Sequence, residues 1–363
     1  MKTIIQILAP VLLCLCTTVV NARACTTFVI KDKHENIFFG RNFDYLVGDA
    51  HVTVNQRNQK KTALIKAPEK PLTWVSKFGS ITFNLTGKES PCGGMNEAGL
   101  VVEMMRLANT KYPEMDERSG LTVLQWIQYQ LDNSKTVEDV IKSDATVRIS
   151  KQSTTINHFL IADRNGNSAI IEYLDGAMKY YTGEDVKQPV LANSSYDDSL
   201  GYIKKFAGFG GSDALQAKDE SSLGRFARAA SLVQKYTGDT NIKDYSFRIL
   251  DSVWQTEKKE WLTQWSIVYD IKNLNIHYRT SKNKEIRSVA FKDFDFGCAA
   301  KTLIIDIDKK MTGATDFYDY STALHRDLIE RVLNSVPSLK NISQERRDVL
   351  ARYPQTITCS ENK

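Results

Sequence analysis

Cysteine and histidine are scarce in this chain. Six cysteines stand in 363 residues, and two of them, Cys14 and Cys16, fall within the first 24. The other four, Cys25, Cys92, Cys298 and Cys359, are too few for a disulfide scaffold. A Cys92–Cys298 or a Cys298–Cys359 bridge fits the sequence equally well. The five histidines, His34, His51, His158, His277 and His325, are scattered. Neither a CxxC nor an HExxH spacing occurs, so nothing supports a metal centre, and no metal or cofactor is expected. Charge of one sign is also lacking. The formal net charge is +5, and Lys2 and Arg23 supply two of its positive charges. The rest is dispersed, which gives nucleic acid nothing to hold. Internal repeats, low-complexity segments and long linkers are absent. Long apolar runs are absent too, apart from Ile4–Val20. That run is short of the ~20 residues a spanning helix needs, and Gln6 and Pro10 interrupt it. No membrane span is expected.

What is present begins with that run. Lys2 gives a short basic start, the apolar stretch follows, and Ala22-Arg23-Ala24 supplies a small-x-small cleavage pattern. Residues 1–24 therefore read as a secretory signal, with a single domain over 25–363 and a periplasmic or secreted destination. Cutting after Ala24 makes Cys25 the first residue. One residue then carries a nucleophilic thiol and a free α-amine, whose pKa near ~8 suits it to act as the thiol's own base. Two other fates of Cys25 stay open. A lipoprotein signal also places cysteine directly after its cut, although such signals carry an aliphatic residue where this chain has Ala22. Cys25 could also be disulfide-bonded, for example to Cys92. Either fate describes an exported binding protein without catalysis.

Hydrophobic patterning places the elements. Thr26–Ile30 and Ile37–Arg41 are β-branched and aromatic runs around a polar turn, and read as a hairpin. The return strand brings Arg41 and Asp44 back beside Cys25. Alternating or apolar runs at His51–Asn55, Gly79–Asn84, Gly99–Met105, His158–Ala162, Ser168–Tyr173 and Met178–Thr182 predict further strands. Helical spacing predicts helices over Leu121–Leu131, Leu223–Tyr236, Ile242–Val253, Thr322–Leu333 and Ser343–Arg352. Strands lead, helices follow and strands return, which is an α+β pattern of antiparallel sheets under helix layers.

Cys25-Thr26-Thr27-Phe28 followed by Gly40-Arg41-Asn42-Phe43-Asp44-Tyr45 resembles the choloylglycine hydrolase family of N-terminal-nucleophile, linear-amide C–N hydrolases. That family includes bile salt hydrolases and penicillin V acylases. The resemblance continues in family order through Cys92–Leu100, Ile171-Glu172-Tyr173, Ala192-Asn193-Ser194, Arg225–Ala229 and Trp265–Asp270. The last 60 or so residues add little to it. The resemblance implies a four-layer αββα fold and cleavage of a small-molecule N-acyl amide. It also implies a homo-oligomer, often a tetramer. It implies Cys25 as nucleophile and Arg41 as a guanidinium that favours thiolate. Asp44 is implied to orient the α-amine, Asn193 to donate to the oxyanion, and Arg225 to organise the site. Phe28, Tyr45, Met104 and Met105 suit an apolar acyl group. Arg106 stands where bile salt hydrolases often place Asn and penicillin V acylases Tyr or Trp, so the substrate is left open. The Arg41–Tyr45 run also resembles related acid amidases of N-acylethanolamines and ceramide. The loops Tyr45–Gln56 and Gly201–Ser222 are expected to shape the pocket.

Overall fold

The computed structural model describes residues 25–238, 240–256 and 261–360. The proposed signal segment, residues 1–24, lies outside the described residues. Two antiparallel sheets are stacked between helices. The first has six strands in the order Val190–Leu191, Thr26–Lys31, Ile37–Tyr45, Leu262–Asp270, Asn275–Thr280, Arg287–Ala290. The second has nine, in the order Ala177–Thr182, Ser168–Leu174, Asn157–Ala162, Val101–Arg106, Gly93–Asn96, Ser80–Asn84, His51–Asn55, Leu303–Asp306, Tyr318–Asp319.

Strand alternation makes the four layers. In the second sheet Val101, Met105, Leu160, Ala162 and Ile170 point to the interior shared with the first sheet. Their neighbours Val102, Phe159, Ile161, Ala169 and Ile171 point the other way, onto Trp126, Ile127 and Leu131 of the Val123–Asn133 helix. A sheet buried on both faces reads as a nearly continuous apolar run, because each alternate residue finds a core. Helices Ser222–Gln234 and Ile242–Ser252 cover the outer face of the first sheet with Phe226, Ala229, Ala230, Ile249 and Leu250. The result is the αββα arrangement expected above.

The opening hairpin forms as predicted. Asp32 accepts from the backbone N–H groups of His34 and Asn36, each at 2.8 Å. That side-chain bracket closes the turn. The register pairs Thr26 with Asn42 and Thr27 with Arg41, which sets Cys25 beside the Phe43-Asp44 end of the return strand. The stretch 201–219 is not all loop: a helix spans Tyr196–Ile203, capped by the Ser195 hydroxyl.

Two helices close the chain, Thr322–Ser335 and Gln344–Arg352. Beyond them Thr358–Cys359 pairs with Gln59–Thr62, and Cys359 is disulfide-bonded to Cys298. Of the two pairings the sequence allowed, this one forms. Cys25 and Cys92 are free thiols, so the Cys25–Cys92 bridge is not made.

Candidate active site

Cys25 sits at the mouth of the hairpin, buried, on the wall of a cavity of about 420 Å³. Four polar side chains surround it. Its backbone nitrogen donates to Asn193 Oδ1 at 2.6 Å, and its Sγ lies 3.9 Å from the Asp44 carbonyl oxygen, as donor. Arg225 reaches in from the helix Ser222–Gln234. Its Nη1 donates to the Cys25 carbonyl at 2.6 Å and to Thr26 Oγ1 at 2.7 Å, and its Nη2 donates to Asn193 Oδ1 at 3.0 Å. Two donors thus meet one oxygen, which fixes the orientation of the Asn193 amide. Its Nδ2 donates to the Arg106 carbonyl at 2.9 Å.

This geometry adds a second residue to one expected role. Asn193 holds the Cys25 nitrogen, a task the resemblance implied for Asp44. Asp44 is fully buried with the Thr263 hydroxyl beside its carboxylate, and neither carboxylate oxygen has a partner in good hydrogen-bond geometry among the described residues. Burial pushes its carboxyl up to about 7, with Arg225 the largest opposing influence. A buried carboxylate without a well-placed partner is costly, so Asp44 is poised for a cation.

Arg41 is anchored by four partners. It pairs with Glu103, donates to the Cys92 carbonyl at 2.9 Å and the Met104 carbonyl at 3.0 Å, and lies 5.0 Å from the Phe43 ring centre. A Cβ at Gly93 would run into the Glu103 carboxylate, which accounts for a glycine there. Tyr269 donates its hydroxyl to Glu103 at 2.5 Å. Burial lifts the Glu103 carboxyl to about 7, although Arg41 opposes it. Against the same burial, Glu103 holds Arg41 above its ordinary value, so the guanidinium stays charged. Arg41 acts on the thiol in the direction expected of it, and burial outweighs it. Burial raises the Cys25 thiol above its ordinary value, and Arg41 is the largest force pulling it back.

Three residues were not singled out by sequence reasoning. His158 Nε2 donates to the Ala192 carbonyl at 2.8 Å, and its Nδ1 lies 3.1 Å from Glu172 Oε1. Glu172 also accepts from the Tyr196 nitrogen at 2.9 Å. Together His158 and Glu172 hold the Ala192-Asn193 segment in place. Glu103 is the third. Glu172 lies in the Ile171-Glu172-Tyr173 segment of the resemblance but was given no role there, while His158 and Glu103 carried no local signal, since their partners lie far along the chain.

Of the residues expected to meet substrate, Tyr45, Met104 and Arg106 line the cavity. Phe28 and Met105 do not. Both are buried in the interior between layers; Phe28 packs against Gly40 of the paired strand. Met104 and Met105 are adjacent on one strand and must face opposite ways. The 201–222 loop supplies no wall either. The remaining lining includes Leu64, Leu85, Val123, Leu124 and residues from the two closing helices.

Comparison with known proteins bears on the family and the fold. Residues 25–305 match the family model for linear amide C–N hydrolases, choloylglycine hydrolase family. A penicillin V acylase from Pectobacterium atrosepticum is 29% identical over 230 residues, covering 58% of this chain and 60% of that protein. A penicillin V acylase structure from Agrobacterium tumefaciens superposes with TM-score 0.71 at 24% identity, over 82% of this chain and 98% of that one. A conjugated bile acid hydrolase mutant from Clostridium perfringens gives 0.64 at 18%, over 80% and 98%. At these identities the structural likeness is one of fold. The chain belongs to the choloylglycine hydrolase family of linear amide C–N hydrolases.

Proposed function

We propose that this protein is an exported amidohydrolase whose nucleophile is created when the segment 1–24 is removed. The observation that carries the reading is the polar cage around the Cys25 nitrogen, with Asp44 beside it and neither of its carboxylate oxygens in good hydrogen-bond geometry with a partner. In the uncut chain that nitrogen has one N–H, already given to Asn193. A cut turns it into an α-amine with further N–H groups, and the ammonium meets the waiting Asp44 carboxylate. The Cys298–Cys359 disulfide suits an oxidising, extracytoplasmic destination.

The reaction is acyl transfer. The α-amine takes the thiol proton, and the thiolate attacks the amide carbonyl carbon. Arg41 offsets the effect of burial on the thiolate. The second Nδ2 hydrogen of Asn193 steadies the oxyanion. As the C–N bond breaks, the α-ammonium returns its proton to the leaving amine. Water, deprotonated by the same amine, then attacks the thioester and releases the carboxylic acid. The substrate has an apolar acyl group, since most of the cavity wall is apolar. Three arginines, Arg41, Arg106 and Arg346, share that wall with one carboxylate, Asp44. An amide whose amine half carries an acid would bring its charge to a wall that holds more arginine than carboxylate. A conjugated bile salt or a penicillin of the phenoxyacetyl type fits that description. A neutral N-acylethanolamine or ceramide fits it less well.

The test is turnover of glycine- and taurine-conjugated bile acids, penicillin V and an N-acylethanolamine, with the freed amine assayed. The mature protein should release amine from an acidic amide, and Cys25→Ser should lower that rate by at least about 10³-fold at an unchanged melting temperature. Equal rates from the two proteins would refute the role of Cys25.

A further inference from the structure

The cavity has a wall that the family-matched region does not supply. That region ends at residue 305, yet Leu333, Ser338, Leu339, Ile342, Arg346 and Leu350 all face the cavity. They come from the closing helices Thr322–Ser335 and Gln344–Arg352 and the turn between them.

This helix pair is rigidly fastened. Leu328, Val332 and Val336 sink into the main core. Arg347, almost fully buried, pins the connecting turn. Its side chain donates to Glu330 at 2.6 Å, Asn334 at 2.9 Å, the Lys340 carbonyl at 2.9 Å and the Ile342 carbonyl at 3.0 Å. The Cys298–Cys359 disulfide closes the far end. A surface so held does not adjust to each ligand; it selects among ligands.

Its cavity face is unfinished as a core. Leu339, Ile342 and Leu350 are only half-buried, although each packs against the Ile329, Leu333 and Ala351 cluster. Apolar surface left facing a cavity gains free energy when an apolar ligand covers it. Leu64, Leu85 and Val123 line the same cavity, so an inserted group is apolar on more than one side.

We propose that residues 322–352 are the acyl-group selector of this enzyme, with Leu339 and Ile342 contacting the acyl portion away from the scissile amide. The proposal rests on the amidohydrolase reading above. The experiment uses N-acyl glycines from acetyl to lauroyl, all with one leaving amine, on the mature protein and on Leu339→Ala/Ile342→Ala. The ratio of kcat/KM for lauroyl to that for acetyl glycine should fall about tenfold or more in the variant, because truncated apolar contacts penalise only acyl groups long enough to reach them. In parallel, binding of laurate and cholate is measured on Cys25→Ala with and without the two alanines. This arm needs no turnover, so it decides the wall even if no glycine amide is cleaved. Laurate affinity should drop about tenfold or more. An unchanged ratio, an equal fall at every acyl length, or unchanged laurate binding would overturn the proposal. If the double alanine fails to fold, the milder Ile342→Val is read the same way: a smaller shift in the same direction supports the selector, and none overturns it.

Discussion

At the residue scale, Cys25 matters less by its thiol than by what meets its nitrogen. The Cys25 nitrogen and Arg225 both donate to one amide oxygen, Asn193 Oδ1, and neither Asp44 carboxylate oxygen is in good hydrogen-bond geometry with a partner. That leads to a pH-dependent prediction for the chain kept uncut. Burial lifts the Asp44 carboxyl from its ordinary 3.8 to about 7, so the folded state holds this proton more tightly than the unfolded state. The stability it contributes is present below the ordinary value and is lost as pH rises through about 7. Asp44→Asn has no such proton to lose. Its melting temperature relative to the parent should therefore climb between pH ~4 and pH ~8, followed by calorimetry across that range. A constant or falling difference would contradict the placement of Asp44. In the mature enzyme the same substitution should lower kcat/KM by about 10² or more, since the α-amine loses its counter-charge. The residues were legible in the sequence where a motif carried them: Cys25, Arg41, Asp44, Asn193 and Arg225 all converge. Adjacent apolar residues were less legible, because Met104 and Met105 look alike until strand alternation sends one to the cavity and the other to the core.

At the element scale, the opening hairpin and most strands and helices follow from local pattern alone. Thr136 caps the helix Val137–Ser143 through a capping box completed by Asp139. Short strands such as Gly93–Asn96 and Arg287–Ala290 had no pattern to announce them, since glycine-rich or charged stretches form strands only where neighbours demand it. The closing helices were legible as helices, but not as a wall of the cavity. Their contribution depends on how the chain returns after residue 305, and the Cys298–Cys359 bridge holds that return. Cys359→Ser should cost about 2–5 kcal/mol of stability in a denaturant melt, because the tether spans a long loop. It should also weaken selection by acyl length, as the helix pair loses its far anchor. A loss of stability below about 0.5 kcal/mol would mean the tether is incidental.

At the scale of the whole molecule, the stacked sheets bring distant segments to one point. Cys25 directly precedes the first strand of the first sheet and Arg41 lies in that sheet, while Glu103, His158 and Glu172 come from the second. Arg225 descends from the helix layer, and Leu339 comes from the closing pair. The layer order was readable from alternation of strands and helices together with the family resemblance. The pairing of Glu103 with Arg41, and of His158 with the Ala192 carbonyl, was not. Each joins segments far apart in sequence, and only the stacking of sheets sets them within reach. The central claim is that export processing makes Cys25 both nucleophile and base. Its most direct test is the mass of the N-terminal peptide after the exported protein is acid-quenched during turnover of a conjugated bile acid or penicillin V. The account predicts a peptide that begins at Cys25 and carries the acyl group as a thioester. A peptide that retains residue 24, or an unmodified Cys25 with the acyl group on another residue, would contradict it.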